Sequence, residues 1–244
     1  DEKLKKLGAE MLRGDLDNFE ALKSGVVATD GVIHLAFTND FSDFAGALNK
    51  DLLAIKAMAE VLANSGKPFI MTDHNNGEES IKAAFSVSGI RAAAVSLAPT
   101  VHDNNGKLGF ASILIDIAHK TGVSAYVGDG LNRWPSIHRR DAASLFRLAL
   151  EKAPNGSRLC GRVEESIPVI DIAKAISKKL NVPLKSIPRE DAAVHFGFLE
   201  MLMSVDFPTM LPFSNSETKE LLGWKPTHST LIDDILSGQK EHLK

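Results

Sequence analysis

The sequence predicts an α/β protein built on a parallel sheet covered on both faces. Continuous apolar runs recur at residues 31–37 (GVIHLAF), 69–72 (FIMT), 92–96 (AAAVS) and 124–127 (SAYV). Such runs mark strands buried on both faces. Stretches of helical period separate them, as α/β alternation requires. The third observation is size and composition. A chain of 244 residues, 44% hydrophobic and 24% charged, can bury one sizeable α/β core, with or without a small appendage.

Taken in order, residues 1–8 read as the end of a helix closed by Gly8. Ala9–Arg13 reads as a short strand, followed by the turn Gly14-Asp15-Leu16, with Asp17 placed to cap a helix. His34 interrupts its apolar run, where a lone histidine is usually a satisfied core side chain. Phe41–Asn64 is a helix with the stripe Leu52, Ile55, Ala59 and Leu62. Asp73–Gly77 reads as a polar turn, Glu78–Ser88 as a helix and Phe110–Lys120 as another. Ser157–Val163 reads as a strand holding Cys160, a small core residue rather than a nucleophile. Pro168–Leu180 is a helix with Ile172, Ile176 and Leu180 on one face. A further helix is expected from Ser186 through His195 and Phe198, its face extended by Met201, Leu202 and Met203 as core or lid. Short helices follow at Ser216–Leu222 and Leu231–Ser237. The division expected is a domain at 1–156 and a smaller substrate-side lobe at 157–244.

The stretch Thr121–Lys152 is the richest in chemistry. It reads as a strand, a Gly-rich turn (Gly128, Asp129, Gly130), an irregular loop and a helix capped by Asp141. The loop crowds Asn132, Arg133, Trp134, Pro135 and His138 together. Two readings stand for Trp134: pocket wall, or core cap. Two stand for His138: a proton donor or acceptor near neutral pH, or a ring that bonds only the loop backbone. Parallel strands deliver their loops to one side of a sheet, which places Trp134 and His138 at one mouth near Pro99–His102.

The motif YVGDG-x-NRWP-x-x-H-x-x-DAA-x-L-x-x-LALE resembles the atypical extended short-chain dehydrogenase/reductases, the NAD-dependent epimerase/dehydratase family. The resemblance runs from GDLDN (14–18) to LGWKPTH (222–228). It implies an incomplete Rossmann-like doubly wound parallel sheet with a small C-terminal substrate-side lobe. It also implies an NAD(P)-dependent oxidoreductase or epimerase/dehydratase acting on a small carbonyl or hydroxyl compound. By resemblance Asp15 and Leu16 touch the adenine, whereas local sequence favours a plain turn before a helix. Leu35, Ala36, Phe37 and Thr72 line the dinucleotide, and Pro99, Val101 and His102 approach the nicotinamide. Asn132, Arg133 and Trp134 face the substrate, and Glu79 and His138 are the catalytic candidates.

Against that pattern, two devices are missing from the sequence. The family's Tyr-x-x-x-Lys dyad is absent: Gly130 stands four residues after Tyr126, the one tyrosine. No G-x-x-G-x-x-G turn occurs to cradle a pyrophosphate. The chain also lacks an initiating Met and starts beyond the family's first two strands. A fragment, a truncated product or a sequence from which residues have been lost is therefore expected, with weak NAD or NADP binding and an exposed sheet edge. A non-catalytic relative binding a small ligand or a partner is the alternative.

Net charge of −3 offers no basic field for nucleic acid or an anionic membrane. A single cysteine and no signal-like start suit a cytoplasmic location. A homodimer is a candidate assembly. The histidines show no H-x-x-x-H spacing and no G-x-S-x-G elbow appears, so neither a metal nor a serine nucleophile is predicted.

Overall fold

The computed structural model describes residues 2–38, 43–73, 77–210 and 214–238. The elements in order are α1 (Glu2–Lys6), α2 (Phe19–Val27), β1 (Val32–His34), α3 (Phe44–Val61), β2 (Pro68–Asp73), α4 (Glu78–Phe85) and β3 (Arg91–Leu97). Then come β4 (Thr100–His102), α5 (Phe110–Thr121), β5 (Ser124–Val127), β6 (Arg133–His138), α6 (Arg139–Lys152), β7 (Ser157–Gly161) and β8 (Glu164–Pro168). The chain continues through α7 (Val169–Leu180), β9 (Leu184–Ile187), α8 (Ala192–Phe196), α9 (Phe207–Met210), α10 (Asn215–Leu222) and α11 (Leu231–Ser237). Among the described residues no helix is long and apolar enough to cross a membrane.

Two compact units share the chain: 1–96 with 146–159, and 97–145 with 160–244. The first holds a sheet in the order β1-β2-β3-β7, with β1, β2 and β3 parallel. Its core is Ile55, Met58, Leu62, Phe69, Met71, Ile81 and the alanines of β3. His34 is the satisfied core histidine of its run. Its Nε2 meets Asp51 Oδ1 at 2.9 Å, and Ser80 Oγ donates to Asp51 Oδ2 at 3.0 Å. Asp51 thus joins the buried face of α3, while Leu52, expected in the stripe, is only half-buried. Arg91 reaches the last turn of α6 and donates to the carbonyls of Leu150 and Ala153, which have no helical partner.

The second unit holds the sheet β4-β6-β8, with β4 parallel and β8 antiparallel to β6, and the parallel pair β5-β9. Its core gathers Leu114, Trp134, Ile167, Ile172, Ile176, Phe196, Met203, Leu231 and Ile235. Gly130 turns the chain between β5 and β6 at φ 67°, where an added Cβ would lie 2.7 Å from Tyr126 and 2.8 Å from Ile170. Only glycine fits both the torsion and the space.

Several expectations are corrected. Residues 9–13 form no strand: they are exposed, and a strand needs a ladder partner that the described residues do not give them. The irregular loop after Gly130 is strand β6, buried from Trp134 to His138. The single helix expected from Ser186 is strand β9 followed by short 3₁₀ and α turns. Asn18 rather than Asp17 caps α2, accepting from the Ala21 amide. Asp141 does not cap α6. It lies within the first turn, and its carboxylate faces another loop. The expected start of α3 at Phe41 and most of the turn at 73–77 lie outside the described residues.

Candidate functional site

In the second unit, β4 and β6 run parallel with His102 opposite His138. The two rings meet edge to face, centroids 5.5 Å apart, as their shared side of the sheet predicted. A third ring was not foreseen. His228 lies flat on His138 at 4.6 Å, the planes 5° apart. Asp141 and Asp234 complete the cluster. Asp141 accepts from the amides of Thr227 and His228 and from His228 Nδ1, the last at 2.7 Å. Asp234 accepts from His102 Nδ1 at 2.6 Å and from Ser229 Oγ at 2.5 Å. Ser136 Oγ donates to Glu164 Oε2 at 2.5 Å and lies 3.5 Å from His102 Nε2. Glu164 also accepts from the Leu231 amide.

The bonds assign a tautomer. The Arg140 amide donates to His138 Nδ1 at 3.1 Å, so that nitrogen holds a lone pair and Nε2 holds the proton. Burial pushes His138 below the ordinary histidine value, against the pull of Asp234. His138 is thus engaged with local backbone through Nδ1, while its ring also faces His102, His228 and Asp234.

Three chemistries can be weighed here. Asp234, His102 and Ser136 have the order of a nucleophilic triad. However, Ser136 is fully buried and gives its proton to Glu164, so its oxygen meets no substrate. His138, Asp141 and His228 bring ligand-type atoms within 4.8 Å of one another. Imidazole lone pairs lie in the ring plane, and two stacked parallel rings cannot aim theirs at one ion, so these residues are not metal ligands. What remains is a closed hydrogen-bonded network joining β4, β6, β8, α6 and α11.

Asn132, Arg133 and Trp134 converge on one segment. Asn132 Nδ2 donates to the carbonyls of Met203 and Val205, and Trp134 Nε1 to that of Leu202. Arg133 grips Asp206 through its backbone amide, Nε and Nη2, and the guanidinium holds that carboxyl below the usual range. Trp134 is buried between Phe110 and Phe207, so it is core rather than pocket wall. Arg162 Nε donates to Cys160 Sγ, and burial pushes the thiol upward, as suits a core residue. His195 Nε2 has no hydrogen-bond partner among the described residues; it faces the apolar wall of Leu114, Val169 and Phe196, where Ser124 gives its hydroxyl proton to the Ala173 carbonyl.

The remaining predicted residues divide between the units. In the second, Pro99 and Val101 are half-buried and His102 belongs to the cluster. In the first, Glu79 is exposed in the first turn of α4. Thr72 is half-buried on β2. Leu35 and Ala36 are exposed just after β1, and Phe37 packs near Phe44. Asp15 Oδ1 accepts from the amides of Asp17 and Asn18, closing a turn of its own. Leu16 is half-buried on the core of that unit.

These residues do not fit a dinucleotide's phosphates. In the first unit the helices that follow strands are α3 and α4. The N-terminus of α3 is capped by Asp43, and α4 opens with Glu78 and Glu79. Carboxylates there repel the anion that a free helix N-terminus attracts. The apolar strip Leu35-Ala36-Phe37 suits a ring or ribose but supplies no phosphate donor side chain.

No protein-family profile matches the chain. It is 42% identical to Uncharacterized protein C2A9.02 of Schizosaccharomyces pombe, with 96% of this chain and 86% of that protein aligned. It is 39% identical to Uncharacterized protein YLL056C of Saccharomyces cerevisiae, over 93% and 82%. The first alignment runs over 258 positions, more than the 244 residues of this chain, so the fission-yeast protein has residues inside the matched span that this chain lacks. Among solved structures, a UDP-glucose 4-epimerase matches with a TM-score of 0.69 at 17% identity, over 94% of this chain and 83% of that one. A dTDP-glucose 4,6-dehydratase double mutant from Streptomyces venezuelae with NAD bound matches at 0.70 and 11%, over 92% and 76%. These likenesses establish the α/β, Rossmann-like fold of the epimerase/dehydratase enzymes.

Proposed function

Because the chain belongs to the same family as the fission-yeast protein C2A9.02 and the budding-yeast protein YLL056C, we propose one reaction class for that family. It is an NAD(P)-dependent oxidoreductase or epimerase/dehydratase reaction on a small compound bearing a carbonyl or hydroxyl group. The observation that carries this is fold coverage: over nine-tenths of the chain follows an NAD-bound dehydratase. In such chemistry the nicotinamide takes or gives hydride. This chain's own part is narrower. It supplies the apolar strip after β1 and a substrate-side unit braced by the 132–134 contacts. Among the described residues it brings no phosphate cradle, and its sequence has no Tyr-x-x-x-Lys dyad. Those absences favour a second reading for the chain taken alone, a non-catalytic relative that binds a small ligand or a partner.

Calorimetry with NAD⁺ and NADPH separates these readings. The fission-yeast relative is expected to bind one of them with a micromolar dissociation constant, and this chain roughly 100-fold more weakly, having acidic rather than open helix N-termini. Micromolar binding by this chain would show that phosphates are held some other way. Absence of binding by both proteins would remove the dinucleotide from the reading.

A further inference from the structure

The cluster in the second unit sets three imidazoles among the carboxylates of Asp141, Asp234 and Glu164, yet none of these carboxylates hydrogen-bonds His138. Asp234 spends both oxygens on His102 and Ser229, and Asp141 spends both on Thr227 and His228. His138 is left without a carboxylate in hydrogen-bond range, its Nε2 standing 3.9 Å from Asp234 Oδ2. The same bonds hold the C-terminal segment in place. Trp224 Nε1 donates to the Asp141 carbonyl and to Ser144 Oγ, Leu231 N to Glu164, and His102 ties α11 to β4.

We propose that this cluster is an acid-released latch, in which protonation of His138 frees the segment 224–238 from β4, β6 and α6. The proposal stands on the geometry alone and does not depend on the enzymatic reading.

The charged and titratable groups facing His138 are His102 of β4, Asp141 of α6, His228 of the loop before α11 and Asp234 of α11. Glu164 of β8 lies beyond His102, 3.9 Å from its Nε2, and Asp103 is paired with Arg139 at 2.6 Å. A second proton on His138 must go to Nδ1, where it meets the Arg140 amide and loses that bond. The charge would then lie flat against His228 and edge-on to His102, in a site only 5% exposed. Release relieves both penalties, because an exposed imidazole is free to hydrate.

The sign follows from linkage. Burial holds His138 in the latched form below the ordinary value of 6.5. The released form therefore binds more protons below that pH, so the latch is whole above pH 6.5 and weakens as pH falls beneath it.

Hydrogen exchange on the full chain, corrected for the intrinsic effect of pH, tests this. Between pH 7.5 and 5.5, peptides covering 224–238 should lose protection by between about threefold and tenfold, ten being the most that one proton on a released imidazole can shift over that range. Peptides of β1, β2 and β3 should not change with them. In His138→Asn the side-chain oxygen can still accept from the Arg140 amide but does not titrate, and the loss should fall below about threefold. An undiminished loss in the variant, or none in the parent, overturns the proposal. If His138→Asn does not fold, imidazole NMR of the parent decides: release must share its midpoint with the titration of His138, and release while His138 is still neutral overturns it.

Discussion

Trp134→Ala is expected to cost about 3–5 kcal/mol of stability. The indole is 1% exposed and packed between Phe110 and Phe207, ring centroids 6.4 and 6.3 Å away. Truncation leaves a cavity walled by two rings that cannot close over it, and it strands the Leu202 carbonyl that Nε1 satisfies at 3.1 Å. Trp134→Phe separates the two effects. It keeps most of the packing and removes the hydrogen bond, so its cost should be nearer 1–2 kcal/mol. Urea unfolding followed by circular dichroism gives both numbers. A pocket-wall tryptophan would show the opposite pattern, with little loss of stability on truncation.

The second large effect is expected at Asp141. Asp141→Ala should destabilise the second unit by about 3–5 kcal/mol, since three donors lose their acceptor and each costs about 1–3 kcal/mol when left unpaired. The carboxylate is 2% exposed and takes two backbone amides and an imidazole from residues 227 and 228. Removing it leaves those donors facing a void. Asp141→Asn keeps one acceptor oxygen and should lose less than the alanine variant. Equal melting temperatures for parent and Asp141→Ala would mean that the 223–230 loop is held by other contacts.

The parallel core was legible because strands buried on both faces advertise themselves as unbroken apolar runs. So β2 and β3 were placed to within a residue or two, and His34 was rightly read as core. The nearness of His102 and His138 was legible too, since it follows from parallel connection alone. Strands β6, β8 and β9 were not. Each mixes polar and apolar residues, β6 also contains Pro135, and β8 and β9 are short. What makes them strands is the partner across the ladder, and no local pattern records that. The cluster hid for the same reason. Asp141 meets its partners 86 and 87 residues away, and His102 meets Asp234 132 residues away. Its aspartate also matched a helix cap locally, and the nearer explanation was the wrong one.

Each compact unit is assembled from two separate lengths of chain, and this sets an order of events during synthesis. When residue 96 has left the ribosome, β1, β2 and β3 can pair, but one edge of β3 waits for β7 more than 50 residues later. The second unit starts at 97 but cannot place β8 against β6 until residue 168 is made, or α11 against β4 until residue 237 is made. Neither unit can finish before its second length of chain has been made. Long-range pairing of this kind folds slowly and leaves apolar surface uncovered in the interval. Yield on expression should therefore respond to translation speed and chaperone supply more strongly than the stability of the finished protein would suggest.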